Sequence, residues 1–217
     1  MRSSRRRGLS ALVFVLLTMV WMGVHRAAAQ PTQPTLAEIA DRMRGVNPTL
    51  RTFIVDQVVD ARVLAIFRWR LNTTMYASRP ASYKVIIHNP PPLLGRFADV
   101  VADVSSPEQV LANYRGAAIR PAPNNRLVLD LVGVSPSVNP PALTAIVDGA
   151  HWVAEDLLLK YAWGDVHVVY HYELIEGFLL PATARVDVPR FTFGADVAFV
   201  NYRLNVPIPP GTFDDTR

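Results

Sequence analysis

The chain of 217 residues contains no cysteine. That excludes disulfides, thiolate metal ligands, a cysteine nucleophile and lipid attachment through a cysteine. Stability must therefore come from burial. Other signatures are missing too. There is no Gly-x-Ser-x-Gly elbow of a serine hydrolase and no glycine-rich loop to cradle a phosphate. A true excess of basic charge is also lacking. The formal charge is +4, but residues 1–29 hold five arginines and no acid, so the remainder sets 17 basic groups against 18 acidic ones, a net charge of −1. That balance gives no reason to expect a nucleic-acid partner.

What residues 1–29 do contain is the order of an export signal. MRSSRRRG is positive, residues 9–24 (LSALVFVLLTMVWMGV) are apolar, and Ala27-Ala28-Ala29 before Gln30 fits the small-x-small cleavage rule. The expectation is a cleaved leader over 1–29 and a single domain over 30–217, exported to the periplasm or cell envelope. The apolar run approaches the ~18 residues that can span a bilayer, so an uncleaved anchor is the alternative. Ser4-Arg5-Arg6 partly matches a twin-arginine signal, with Gly8 where that motif prefers an aromatic. Asn72-Thr73-Thr74 has the form of a glycosylation sequon and is read as chance beside a leader of bacterial type.

Beyond the QPTQPT linker (30–35), Leu36, Ile39, Ala40 and Met43 recur at helical spacing. Thr35 and Glu38 form a capping box in front of them, and Gly45 fits the stop. A second helix is expected over 105–117, with Ser106 as cap, Pro107 at the first position, Gln109 completing the box and Gly116 at the end. Elsewhere the period is two. Strands are expected at 52–72 (one or two), 81–88, 126–133, 142–149, 151–163, 167–177, 178–188 and 196–206, with turns at Gly164-Asp165, Glu176-Gly177 and Gly194-Ala195-Asp196. Spacings of about ten residues suggest an antiparallel meander, hence an α+β fold that is mainly β.

Face parity raises the functional question. In ARVLAIFRWRLN (61–72), Val63, Ala65, Phe67, Trp69 and Leu71 share one face, while the other carries Leu64 and Ile66, then Arg68 and Arg70. Further on, Val168, Tyr170, Tyr172 and Leu174 share a face, as do Ala182, Ala184, Val186 and Val188, and Ala198, Val200, Tyr202, Leu204 and Val206. Two short helices do not cover so much dry surface, which leaves a hollow. Phe67, Trp69, Leu71, Val85, Ile87, Tyr170, Tyr172, Val200 and Tyr202 are the candidate lining. Arg68 and Arg70 are candidates for its mouth, where a guanidinium could meet a carboxylate or phosphate. Trp69, Trp152 and Trp163 read as core or as lining.

Catalytic readings are weaker. His167 and His171 share a strand face but stand roughly 13 Å apart, whereas zinc needs each nitrogen at about 2 Å. Glu155-Asp156 and Asp214-Asp215 are sequence neighbours, and neighbours on a strand point to opposite faces, which suits no acid–base couple. Neither a catalytic residue, a metal nor a cofactor is assigned. An enzyme stays the last reading, with His151 and Glu155 as the residues whose replacement would test it.

The closing strands carry a family resemblance. GFLLPATARVDV and NYRLNVPIPPGTFD supply Gly177, Leu180, Pro181 and Val186, then Asn205, Val206, Pro207, Ile208, Pro209 and Phe213, and RPASYKVII (79–87) supplies an early strand. Together they resemble the outer-membrane lipoprotein carrier and sorting proteins of the LolA/LolB-like superfamily, in order across residues 35–215. The resemblance implies a half-open β-barrel: a curved antiparallel sheet with two or three short helices over its concave face. It also implies a monomeric carrier that holds the acyl chains of lipoproteins or lipids in the hollow. The other implied role is a periplasmic sensor or partner-binding module of anti-sigma regulator type, with a membrane protein as partner. Those carriers' lid arginine is not assigned by motif; Arg62, Arg68 and Arg70 are candidates by location. The lack of a cysteine sets the chain apart from the lipid-anchored branch.

Overall fold

Period-two alternation from Thr52 onward becomes one large sheet. The computed structural model describes residues 34–63, 67–80, 82–88, 90, 111 and 113–214. Helix α1 (Leu36–Gly45) is followed by β1 (Thr52–Val63), β2 (Phe67–Ser78), β3 (Ser82–His88), β4 (Tyr114–Ala122) and β5 (Arg126–Gly133). Then come β6 (Ala142–Asp148), β7 (Val153–Tyr161), β8 (Gly164–Ile175), β9 (Phe178–Val188) and β10 (Phe193–Leu204). The spatial order is β3-β2-β1-β10-β9-β8-β7-β6-β5-β4. Every neighbouring pair is antiparallel. The sheet is curved and unclosed, with β3 and β4 at its edges.

One face of this sheet is dry. Val55, Val59, Ala61, Leu71 and Met75 near one edge join Leu129, Leu131, Leu143, Ala145, Leu157, Leu159, Val166 and Val168 in a single buried cluster. Ladder partners explain this: Val59 stands beside Leu71 and Val197, and Leu157 beside Ala145 and Val168. Directly paired residues share a face, so each apolar residue recruits the next across the ladder. The other face carries ion pairs, including Arg62–Asp196, Arg70–Asp60, Arg126–Glu155 and His167–Asp156.

Helix α1 has the predicted bounds and the predicted box: Thr35 Oγ1 accepts from the Glu38 N–H at 3.3 Å, and the Thr35 N–H donates to Glu38 Oε2 at 2.7 Å. These bonds hold the Glu38 carboxyl below its usual range. Ile39 and Met43 are buried in the core.

Several sequence readings need correction. ARVLAIFRWRLN is not one strand: β1 ends at Val63 and β2 begins at Phe67, with 64–66 outside the described residues. Its parity nevertheless survives, because Ala61 pairs with Trp69 and Val59 with Leu71, odd number to odd number. The helix expected over 105–117 fails at its end. Leu111 is helical, but Tyr114 onward is β4, and Gly116 lies inside a strand. The first part of that segment lies outside the described residues. Gly194-Ala195-Asp196 is no turn; it sits within β10, and a 3-10 turn at Pro189–Phe191 makes the reversal. Trp152 and Trp163 occupy turns, not strands.

The parity of β10 is the most consequential correction. Its dry face begins with Ala195, Val197 and Phe199, the opposite set to that expected. Between β1 and β10 the register jumps from Asp56↔Val200 to Ile54↔Arg203. Asn201, with φ of 54°, takes up the extra residue. Beyond this bulge the even-numbered residues Tyr202 and Leu204 turn inward. Val200, on the near side of it, pairs with Asp56 and is exposed on the wet face.

Candidate ligand groove

Among the described residues, the dry face is not sealed along helix α1. A groove of about 580 Å³ runs beside it, lined by Leu36, Ile39, Ala40 and Met43 of the helix and by Leu111, Tyr114 and Leu129 from the facing elements. That volume lies within the roughly 300–1,000 Å³ of small-molecule sites.

Each wall has a local cause. Helical spacing points Ile39 and Met43 into the core and leaves Ala37 and Ala40, short side chains, beside the open space. Gly116 admits the start of the helix: a Cβ built there would stand 3.4 Å from Leu36 Cδ2. Tyr114 is buried, and its hydroxyl donates to the Pro140 carbonyl at 2.6 Å. Leu129 is buried at the centre of β5 by its partners Ile119 and Ala145.

The far end of the helix is tied down by polar bonds. Asn47 is only 4% exposed. Its Nδ2 donates to the Leu179 carbonyl at 2.9 Å and its Oδ1 accepts from the Leu179 N–H at 3.0 Å. The Arg79 guanidinium donates to the carbonyls of Asn47 (2.7 Å) and Arg44 (3.3 Å), satisfying groups that a helix C-terminus leaves open. Arg42 stacks on the Trp152 ring, its guanidinium carbon 4.4 Å from the centroid. The helix is thus fixed to β4 at its start, to the β6–β7 turn near its end and to the β8–β9 hairpin just beyond.

The residues expected to line a cavity are placed as follows. Leu71 and Tyr170 are buried in the core cluster, and Trp69, Val85 and Ile87 are half-buried on the same face by pairing with Ala61, Met75 and Thr73. Tyr172 and Tyr202 are half-buried, with hydroxyls donating to the carbonyls of Ala154 (2.8 Å) and Pro181 (2.7 Å). Burial pushes the Tyr202 phenol up. Phe67 is 53% exposed at the end of β2, and Val200 is outside. None of these residues borders the α1 groove.

Arg68 and Arg70 are not at its mouth either. Arg70 grips Asp60 with two bonds, at 2.8 and 3.1 Å, on the wet face, and holds that carboxyl below its usual range. Arg68 pairs across the hairpin with Arg62 on that same face. His167 and His171 turn to different carboxylates, Asp156 at 2.9 Å and Glu173 at 3.7 Å. Among the described residues, no helix is long and apolar enough to cross a membrane.

Sequence reasoning missed the groove residues Leu111, Tyr114 and Leu129, and with them Arg51 and Arg79. The only available signal was the apolar pattern of α1, which marked one wall without its partner.

No protein-family model matches the sequence, and neither does any curated protein. Solved structures do match. A LolA superfamily protein from Nitrosomonas europaea aligns at a TM-score of 0.63 and 11% identity, over 83% of this chain and 97% of that one. An outer membrane lipoprotein-sorting protein domain from Vibrio parahaemolyticus gives 0.60 and 12%, over 82% and 95%. A DUF1329 family protein from Desulfovibrio piger gives 0.59 and 14%, over 81% and 94%. Identities this low speak to architecture alone: the chain has the LolA-like fold.

Proposed function

We propose that this protein is an exported carrier that holds acyl chains of lipids or lipoproteins in the α1 groove. The observation that supports this most directly is the groove itself, about 580 Å³ with Leu36, Ile39, Met43, Leu111 and Leu129 along its walls. Each methylene moved from water into such a site contributes about 0.8 kcal/mol, so a chain binds without a dedicated hydrogen bond. That is binding, not catalysis. The leader-like residues 1–29 support export to the periplasm or cell envelope and a mature domain beginning at Gln30.

The test is mass spectrometry of extract from natively purified protein, together with titration by a fluorescent fatty acid. Ala40→Trp fills the groove from the helix without touching its anchors, and should abolish uptake at unchanged stability. Empty protein that takes up no fluorescent chain would defeat the reading.

A second reading has one observation in its favour: Ile39 and Met43 already occupy part of the hollow. A partner-binding module of the same fold has no need of a guest. Capture of a membrane protein by lipid-free protein, with capture unaffected by Ala40→Trp, would favour it.

A further inference from the structure

The groove is apolar inside but one-signed at its border. Among the described residues, four of its lining residues are arginines, Arg44, Arg51, Arg79 and Arg115, and none is acidic. The four are not equivalent. Arg44 pairs with Asp41, and Arg79 is committed to the carbonyls at the end of α1. Arg51 bonds through its backbone N–H to Asn205 Oδ1 at 2.8 Å. Among the described residues, its guanidinium has no hydrogen bond or ion pair, and neither has that of Arg115.

Arg51 and Arg79 are neighbours, since the Arg79 N–H donates to the Arg51 carbonyl at 2.8 Å. With Arg44 and Arg79 meeting at the end of α1, three arginines gather there, of which Arg44 pairs with Asp41. A neutral lipid leaves this field unanswered. A guanidinium presents a planar fork of donors that matches a carboxylate or phosphate.

We propose that the groove selects single-chain amphiphiles with an anionic head group, a carboxylate or phosphate monoester, over neutral ones. Arg51 is the guanidinium that receives the head while the chain lies along α1, with Arg115 on the neighbouring edge strand adding to the positive border. This rests on the acyl-chain reading above and adds the class of head group.

The experiment uses the full chain and two matched pairs of probes: palmitate against methyl palmitate, and palmitoyl lysophosphatidate against monopalmitoylglycerol. Displacement of a bound fluorescent chain is followed at low and at 0.5 M salt. The expected result is a preference of about fivefold or more for the anionic member at low salt, shrinking as salt screens the head group. Arg51→Glu should erase or invert that preference, read as the ratio of anionic to neutral binding, and Arg115→Glu should reduce it less. The urea-unfolding midpoint reports that each variant is folded. Equal binding of charged and neutral probes overturns the inference and leaves the acyl-chain reading standing. Failure of all four probes overturns both. Displacement by inorganic phosphate alone, at concentrations equal to those of the lipids, would overturn the lipid as source of the anion.

Discussion

Asn47 is the position where the structure makes its sharpest energetic prediction. Its buried side chain closes a two-bond ring with the backbone of Leu179, donating at 2.9 Å and accepting at 3.0 Å, and so ties the end of α1 to the start of β9. Asn47→Ala removes both bonds and leaves the Leu179 N–H and carbonyl without those partners. At about 0.5–1.5 kcal/mol for each hydrogen bond, the loss is about 1–3 kcal/mol. In a chain of this length each kcal/mol lowers Tm by about 2–4 °C, so the expected fall is between about 2 and 12 °C. Asn47→Asp should be worse than Asn47→Ser. It keeps the acceptor for the Leu179 N–H but turns a buried negative charge toward the Leu179 carbonyl. Urea unfolding at constant m-value measures the loss. Limited proteolysis within residues 36–45 reports whether the helix is what came loose. If Asn47→Ala stays within about 0.5 kcal/mol of the parent, or if cleavage of the helix is unchanged, the tether does not hold α1 in place and the reasoning fails.

Three further outcomes follow from the same geometry. Thr73→Val removes the hydroxyl that donates to the buried Gln57 Oε1 at 2.6 Å, and should cost about 1–3 kcal/mol in urea unfolding despite its matched shape. Tyr202 titrates higher folded than unfolded, so the native state holds the extra proton. Stability should fall as pH rises above about 10, where the unfolded phenol begins to ionise, and Tyr202→Phe should flatten that alkaline slope in pH-dependent denaturation. Arg70→Ala breaks an ion pair on the wet face whose side chains are 68% and 53% exposed, and should leave both the unfolding midpoint and chain binding unchanged; a clear drop in binding would return Arg70 to the groove.

How far the sequence could be read depended on whether a feature was local. Helix α1 announced itself because Thr35, Glu38 and the Ile39/Met43 spacing lie within one stretch. Strands β5 and β9 took their predicted bounds because turn residues flank an unbroken alternation. The β10 reading failed at Asn201, since one residue in a left-handed conformation reverses the facing of everything before it and leaves no mark in the alternation. Ser106-Pro107 and Gln109 formed a convincing helix start, but Tyr114–Ala122 was claimed by pairing with β5, a long-range contact that outweighs local propensity. The groove was the least legible feature. Its walls come from residues 36–51, 79–80 and 111–129, and only the folded chain brings them side by side.

The unclosed sheet has a mechanical consequence. Among the described residues no ladder joins β3 to β4, so spreading these two margins ruptures no backbone bond between them. Among the described residues, what spans the hollow is side-chain packing around Ile39 and Met43, a softer constraint than a closed ring of strands. On the proposed carrier reading, a bulky chain is accommodated by parting these margins, at the cost of packing contacts and of no ladder between described strands.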